Sequence, residues 1–282
     1  MTNPLSAQTW TQTSAPTTNW QAIAASADGS KLVAVVKVGG IYVSTNYGAT
    51  WVLTAAPITN WTAVASSADG RKIFAANYQG GFYTSTNSGA TWVRRMTNAV
   101  GQYWVAAASS SDGNKLAAAD YFSVSTSTNS GATWTNVSVS NQKWLSLVSS
   151  ADGSKLFAMS SWAIYASTNS GMSWNPLTSM PKGSCSSLAG SADGRKLVAA
   201  YYQGGIYTSC SQPTPRLHLA PSSNKSVLSW IVPSANFVLQ QRANLSGWLD
   251  VTNPPVLNLT NLQNEVILSP TGSSGFCRLK TP

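Results

Sequence analysis

The chain has 282 residues, of which 43% are hydrophobic and 9% are charged, and its formal net charge is +9. This length is enough for two domains with buried cores, and no apolar run approaches the ~18 residues that a membrane-spanning helix needs. Much of the basic charge stands beside aspartates in repeated turns rather than in dense clusters interleaved with aromatic residues, so we expect no nucleic-acid partner. These basic turn residues are Lys31, Arg71, Lys72, Lys115, Lys155, Arg195 and Lys196.

A unit of about 41 residues recurs five times between residues 1 and 212. Its first mark is a Ser-Ala/Ser-Asp-Gly turn followed by a basic residue and an apolar run. The turn aspartates are Asp28, Asp69, Asp112, Asp152 and Asp193, with separations of 41, 43, 40 and 41 residues. A repeat of this length predicts a solenoid or a propeller, because one small unit cannot bury its own apolar face.

Each unit is predicted to form four short antiparallel strands. In the second unit, runs that begin at Trp61, Lys72, Phe82 and Thr91 are separated by Asp-Gly, Gly-Gly and Asn-Ser-Gly turns, which are hairpin signals. No segment sustains a 3.6-residue period, so we expect an all-β fold with almost no helix. Four strands per unit are typical of propeller blades, with the alanine-rich first strand innermost.

A second mark, Ser-Thr-Asn-x-Gly-Ala-Thr-Trp, ends at Trp51, Trp92 and Trp134, and a variant ends at Trp174. These segments resemble the Asp-box, or bacterial neuraminidase repeat, of sialidases and related propellers, although asparagine stands at the aspartate position. Asparagine permits the same side-chain-to-backbone turn bonds. The resemblance implies a propeller architecture and structural turns. It does not imply an activity, since a fold does not carry its function with it.

The fifth unit stops near Ser211, before its own box and fourth strand. The segment Ala7-Gln-Thr-Trp10 imitates the end of a box, and Trp10 lies 41 residues before Trp51. We therefore predict a five-bladed β-propeller over residues 1–212, closed by the N-terminal strand. Such closure leaves no exposed sheet edge.

Residues 213–282 follow a proline-bearing linker and alternate in polarity, which predicts a small C-terminal β-sandwich. This part is similar to C-terminal modules of secreted bacterial proteins, which implies a role in sorting, attachment or spacing. The low charge content favours a secreted or periplasmic protein, although the first residues lack a signal peptide. We also expect a monomer. Cys185 and Cys210 either form a disulfide or are free thiols, and Cys277 is expected to be a free thiol in both cases.

If the Asp-Gly turns and the boxes share one face, the second-to-third strand corners and the crossovers between units build the opposite one, here called the top face. Irregular loops on a rigid scaffold are where function concentrates. Aromatic rings, amides and cations together suit glycans, including acidic ones. The candidate ligand-binding residues are Lys37, Tyr78, Gln79, Arg94, Tyr103, Tyr121, Lys143, Trp162, Tyr201, Tyr202 and Gln203. Trp20, Trp61, Trp104 and Trp144, at the crossover ends, are interpreted instead as packing between units.

Of the 8 acidic residues, the five turn aspartates are structural and Asp250 and Glu265 lie in the C-terminal part, so Asp120 alone remains on the top face. Ordinary glycosidases need two carboxylates about 5–10 Å apart. We therefore expect a non-catalytic, lectin-like glycan binder without metal or cofactor. The alternatives are a polysaccharide lyase or unusual glycoside hydrolase using Asp120, and a protein-interaction scaffold. The principal site is predicted around Asp120, Tyr121 and Trp162, all taken as surface residues.

Overall fold

A computed structural model describes the chain at residues 10–78, 80–95, 102–139, 143–178, 180, 183–211, 217–222, 225–231, 238–243, 249–251, 256–258, 263–268 and 275–280. The chain divides into two compact bodies, here called the N-terminal body (Met1–Cys210) and the C-terminal body (Ser211–Pro282). The described residues contain only β-strands and turns, which confirms the all-β prediction. No helix in this described part is long and apolar enough to cross a membrane.

The described residues of Met1–Cys210 form five antiparallel sheets, each built from consecutive strands. The first sheet contains β1 (Trp20–Ala25), β2 (Leu32–Val36), β3 (Ile41–Ser44) and β4 (Val52–Leu53). The second contains β5 (Trp61–Ser66), β6 (Ile73–Asn77), β7 (Phe82–Ser85) and β8 (Val93–Arg94). The third contains β9 (Ala106–Ser109), β10 (Leu116–Ala119), β11 (Ser123–Ser127) and β12 (Thr135–Ser138). The fourth contains β13 (Trp144–Ser149), β14 (Leu156–Ser160), β15 (Ile164–Ser167) and β16 (Asn175–Pro176). The fifth contains β17 (Cys185–Gly190), β18 (Lys196–Tyr201) and β19 (Ile206–Cys210).

Each sheet packs face to face on the next one through equivalent positions of the repeat. Between the first and second sheets, Val33, Val35 and Ile41 meet Trp61 and Val64 in one buried cluster, and the next three junctions repeat this arrangement. Trp61, Trp104 and Trp144 are fully buried at these junctions, which agrees with their interpretation as packing residues. The core of the N-terminal body is therefore a series of four sheet-to-sheet interfaces.

The Asp-Gly turns are closed by their own aspartates. In the first, Asp28 Oδ1 accepts hydrogen bonds from Ser26 Oγ at 2.6 Å and from the Ser30 amide at 3.0 Å. The hydroxyl of Ser26 is the largest cause of a pKa of about 2 for Asp28, below its ordinary value of 3.8. Equivalent bonds lower the pKa of the other four turn aspartates. Each turn thus depends on an ionised carboxylate.

We expect the N-terminal body to lose stability as the pH falls from about 4 to about 2. Because the folded pKa lies below the unfolded one, the carboxylates stabilise the fold fully above the unfolded pKa of 3.8 and progressively less as the pH falls through about 2. Thermal melting followed by circular dichroism between pH 5 and pH 2 measures this effect. Asp152→Asn should show a shallower decline than the wild type, and a melting temperature that is constant over the range would contradict the expectation.

The box turns are held by serine and asparagine side chains. In the first box, Ser44 Oγ accepts a hydrogen bond from the Gly48 amide, and Asn46 Oδ1 accepts one from the Thr50 amide, both at 2.9 Å. The same bonds recur in the other three boxes, as expected for asparagine at this position. The amide of Tyr47 also donates to the Ser30 carbonyl at 3.0 Å, which places box and Asp-Gly turn at the same end of the sheet. The top face is therefore the opposite end.

The predicted completion of the fifth sheet by the N-terminal strand is not visible in the described residues. Residues 7–9 lie outside the described part, Trp10 is fully exposed, and the fifth sheet has three described strands. Ile23 on β1 is 65% exposed, whereas the equivalent Val64 on β5 is 8% exposed. The first and fifth sheets thus each have one uncovered face.

The described residues of Ser211–Pro282 form two antiparallel sheets. One has the order β20 (His218–Ser222), β21 (Lys225–Ile231), β25 (Gln263–Leu268) and β24 (Val256–Asn258), and the other has the order β23 (Leu249–Asp250), β22 (Val238–Ala243) and β26 (Gly275–Lys280). Trp230 and Val266 from one sheet and Leu239 from the other share one buried cluster. The three cysteines of the chain are free thiols.

Candidate functional site

Three tyrosines from two neighbouring sheets form a continuous row on the top face. The ring centroids of Tyr78 and Tyr103 are 4.8 Å apart at an interplanar angle of 64°. Tyr103 stacks on Tyr121 with 5.5 Å between centroids and an angle of 16°. We call Tyr78, Tyr103 and Tyr121 the tyrosine ladder. Three of the predicted ligand-binding residues, 43 positions apart at the extremes, are thus brought into one site.

The ladder is placed by the ends of rigid strands. Tyr78 follows β6, and its amide donates to the Asn60 carbonyl at 2.7 Å. Tyr103 directly precedes Trp104, whose buried indole donates to the Gly80 carbonyl at 3.1 Å. Tyr121 belongs to the turn between β10 and β11. Each ring is therefore held by a backbone segment whose neighbours are buried or hydrogen-bonded.

A cation and a further aromatic ring extend the ladder. The ammonium group of Lys143 lies 4.2 Å from the centroid of the Tyr121 ring, within cation–π range. Phe122 is exposed and packs edge-on against Tyr121 with 6.3 Å between centroids. Lys143 was a predicted site residue and Phe122 was missed, although it shares a corner with Tyr121. The site therefore offers aromatic surface with a positive charge beside it.

Partial burial raises the pKa of the Tyr78 phenol, and the hydrogen-bonded phenol of Tyr103 adds to the shift. A tyrosine ordinarily titrates near pH 10, so the Tyr78 phenol is uncharged at neutral pH, and the raised pKa moves its ionisation still further from that range. An uncharged phenol can donate a hydrogen bond as well as accept one. This end of the ladder therefore suits hydroxyl-bearing ligands.

Asp120 is a turn residue in the structure. It is 6% exposed, and its Oδ1 accepts hydrogen bonds from the Phe122 amide at 2.7 Å and the Ser123 amide at 2.6 Å. The expectation that Asp120 is a surface residue is wrong, because its short side chain folds back onto the corner that it begins. The carboxylate supports the backbone that carries Tyr121.

Tyr201 is likewise a buried residue. It ends β18, packs in the cluster between the fourth and fifth sheets, and lies 5.1 Å from the Tyr207 ring. Burial raises the pKa of its phenol, with the Cys185 thiol as a second cause. The expectation of a surface tyrosine is wrong here, because Tyr201 pairs with Cys185 at the end of its strand, the position at which the equivalent Asn77 and Ser160 are also buried. Its neighbours Tyr202 and Gln203 are exposed, and Gln203 has a positive φ of 50°.

No described ring or cation–π contact joins Trp162, Arg94 or Lys37 to the ladder. Trp162 is 72% exposed in the corner of the fourth sheet. Arg94 lies in β8, the outermost strand of the second sheet, opposite Tyr83 rather than in a crossover. Lys37 is exposed in the corner of the first sheet. Gln79 falls outside the described residues.

The described residues contain no group of three or more histidine, cysteine or acidic side chains that could hold a metal ion. The ladder itself carries aromatic and hydroxyl groups, and the ammonium group of Lys143 lies beside it. Its carboxylate neighbour, Asp120, is occupied by backbone amides. The arrangement can bind a ligand through stacking, hydrogen bonds and charge, and it lacks the paired carboxylates of glycoside hydrolysis within the described part of the top face.

No protein-family model matches this chain, and no curated protein matches it in sequence. Solved structures do resemble it. An ancestral GH74 enzyme aligns with a TM-score of 0.55 and 19% identity over 84% of this chain and 38% of that one. The GH74 enzyme of Niastella koreensis aligns with a TM-score of 0.56 and 22% identity over 70% of this chain and 31% of that one.

A third structure, YCF48 bound to a D1 peptide, aligns with a TM-score of 0.54 and 12% identity over 83% of this chain and 82% of that one. This chain therefore spans about a third of the GH74 enzymes' length but most of YCF48. At these identities the likeness concerns the fold alone, and all three proteins are β-propellers. The chain has a propeller-like, all-β fold.

Proposed function

We propose that this protein is a non-catalytic, lectin-like glycan-binding propeller whose binding surface is centred on the tyrosine ladder. The observation that carries the proposal is the row of Tyr78, Tyr103 and Tyr121 with Lys143 beside it. Aromatic rings present flat apolar faces to the C–H faces of sugars, while their phenols reach hydroxyl groups. The Lys143 ammonium favours a glycan that carries carboxylate or sulfate groups.

The fold alone favours no ligand class, since the same architecture is found in GH74 enzymes and in YCF48 bound to a D1 peptide. The residues of the ladder support a glycan rather than a peptide as the ligand. A peptide groove of the β-augmentation type needs an open strand edge, whereas the ladder presents side chains at the ends of strands. A sugar chain that lies across two sheets fits the row of rings better.

The glycoside-hydrolase alternative, which would use Asp120, has less support, whereas the polysaccharide-lyase alternative, with a tyrosine or lysine as its base, stays a prediction. The Asp120 carboxylate is buried and accepts two backbone hydrogen bonds. A general acid must reach the bond that it protonates. We therefore retain binding, not bond cleavage, as the proposed function.

A glycan array followed by calorimetry on the best ligand tests this function. Tyr121→Ala should weaken binding at least about tenfold, because a stacking contact is worth about 1 kcal/mol and the Lys143 contact is lost with it. Tyr47→Ser is the matched control, since Tyr47 is an exposed tyrosine in a box turn where the other boxes carry serine at the same positive φ.

Binding that is equally weakened by both variants, or by neither, would contradict the ladder as the site. Binding of peptides but of no glycan would favour the interaction-scaffold alternative. The variants should melt within a few degrees of the wild type, because Tyr47 is exposed and Tyr121 is only half-buried.

For the whole chain we further propose a closed five-bladed ring of Asp-box-like units and a C-terminal β-sandwich that spaces or attaches it, in a secreted or periplasmic monomer. The equivalent bonds of the four boxes support the first part. The shared core of the two C-terminal sheets supports the second. Light scattering of the purified chain tests the monomer, and a dimer would refute it.

A further inference from the structure

A cavity of about 450 Å³ lies at the junction of the fourth and fifth sheets. Ile164, Leu177 and Met180 line it from the fourth unit, and Tyr201 and Tyr207 line it from the fifth. The cavity is large enough for a bulky aromatic side chain, and its walls are mainly apolar. A space of this kind within a repeated core calls for an occupant.

The equivalent position at the other three junctions is filled by a box tryptophan. Trp92 packs against the cluster between the first and second sheets, Trp134 against the next, and Trp174 against the third. The ring of Trp134 lies 4.3 Å from that of Phe82, and the counterpart of Phe82 in the fourth sheet is Ile164, in the cavity wall. Among the described residues, the fourth junction has no tryptophan.

The fifth sheet also lacks a described fourth strand, and the register of the missing strand is fixed by its relatives. In each complete sheet the residue after the box tryptophan pairs with a residue of the third strand, two positions after Ile41 or its equivalents Phe82, Val124 and Ile164. The pairs are Val52 with Val43, Val93 with Thr84, Thr135 with Thr126 and Asn175 with Ala166. The equivalent residue on β19 is Thr208, which lines the cavity.

The chain after Trp10 already lies on the first sheet as a preceding fourth strand would. A Cβ added to Gly89 would lie 3.2 Å from the Cγ2 of Thr54, three residues after Trp51. A Cβ added to Gly48 would lie 3.5 Å from the Cγ2 of Thr13, three residues after Trp10. Ser14 Oγ also donates to the Ala49 carbonyl at 2.9 Å. Trp10 thus stands in the sequence position of a box tryptophan.

We propose that the cavity is an indole-binding site whose occupant is Trp10 of the same chain, with Thr11 paired opposite Thr208. The inference rests on the proposed closed ring and is independent of glycan binding. Docking in the same chain is favoured because a tethered segment competes at high effective concentration with a segment of a second copy. It converts the three strands of the fifth sheet into four and joins the first sheet to the fifth.

The uncovered faces are complementary, as this closure requires. At each of the four existing junctions a lysine side chain lies over the next turn glycine, as Lys31 does over Gly70, whereas a Cβ at Gly29 would meet no atom within 4 Å. Lys196 is the lysine at the open end of the fifth sheet. Ile206 is 75% exposed there, although its equivalents Ile41 and Phe82 are buried. Closure would bring Lys196 to Gly29 and cover Ile206.

Binding of free indole, measured by calorimetry on the full chain, tests the assignment. The wild type should bind no indole, since Trp10 fills the site, whereas Trp10→Ala should bind it and melt on the order of 5–10 °C lower. Indole should restore part of that loss, as a ligand of the folded state does. Trp162→Ala, which removes an exposed tryptophan, should behave as the wild type in both measurements.

A cross-link tests the register and the identity of the chain. After oxidation, Thr11→Cys/Thr208→Cys should form a disulfide within a monomer, identified by peptide mapping and light scattering. Equal indole binding by the wild type and Trp10→Ala, or failure of the cross-link, would overturn the proposal. A disulfide between two chains would overturn it in favour of strand exchange. Glycan binding by the Tyr121 site can persist in every one of these outcomes, so the two proposals fail separately.

Discussion

Trp144→Ala should lower the free energy of unfolding of the N-terminal body by about 3–5 kcal/mol, the usual loss for a buried aromatic side chain. The Trp144 ring is fully buried in the cluster between the third and fourth sheets. It also meets the Tyr165 ring edge-on, with 5.5 Å between centroids and an angle of 89°. Removal leaves a void at a junction that alanine-rich strands cannot fill, because small side chains have no atoms to move into it.

Urea unfolding followed by circular dichroism measures the change, with Trp162→Ala as the matched control. Trp162 is 72% exposed, so its removal should change the free energy of unfolding by less than about 0.5 kcal/mol. Trp144→Phe should retain most of the wild-type stability, since the aromatic contact with Tyr165 persists. Equal stabilities of Trp144→Ala and Trp162→Ala would show that the sheets do not depend on this junction.

The repeat made this distinction between the two tryptophans predictable. Trp144 occupies the same place as Trp61 and Trp104, and a residue type that recurs at one position in four of the five units is serving the architecture. Trp20 shows the limit of the argument. It is the first member of the series but remains 38% exposed, because its burial depends on a preceding sheet that does not cover β1 in the structure. Periodicity identifies equivalent positions but not the neighbours of the terminal ones.

The tyrosine ladder could be predicted in part. The sequence placed Tyr78, Tyr103 and Tyr121 at loop positions of one face, and that follows from strand topology. The contact between Tyr103 and Tyr121 could not be predicted, because it joins a crossover of irregular length to a corner of atypical sequence. The crossover has no equivalent of the same length in the other units from which its path could be read.

The structural role of Asp120 could be predicted from its position at the start of a turn, whereas the catalytic alternative considered only its carboxylate. An aspartate at the start of a turn commonly accepts hydrogen bonds from the amides that follow it. In the fourth sheet, the equivalent Ser160 does this work: its Oγ accepts from the amides of Trp162 at 3.3 Å and Ala163 at 3.0 Å. Asp120 and Ser160 share only a side-chain oxygen that can accept these hydrogen bonds. The corner therefore requires an acceptor at this position, not a charge.

Asp120→Ala should therefore destabilise the N-terminal body by about 1–3 kcal/mol, the cost of leaving a buried backbone amide without its partner. The amides of Phe122 and Ser123 both lose their acceptor, and the Ser123 amide is buried. Because the same corner carries Tyr121, glycan binding should weaken as well. Urea unfolding and calorimetry on the same preparation measure both effects.

Asp120→Ser is the decisive control, since serine supplies the acceptor that the fourth sheet already uses and carries no carboxylate. It should restore most of the stability and of the glycan binding lost in Asp120→Ala, as expected for a positioning residue whose charge takes no part in chemistry. A different outcome would follow if Asp120 were a general acid. Asp120→Ser would then fold normally and bind glycan but lose a polysaccharide-cleaving activity of the wild type, and that result would reinstate the enzyme.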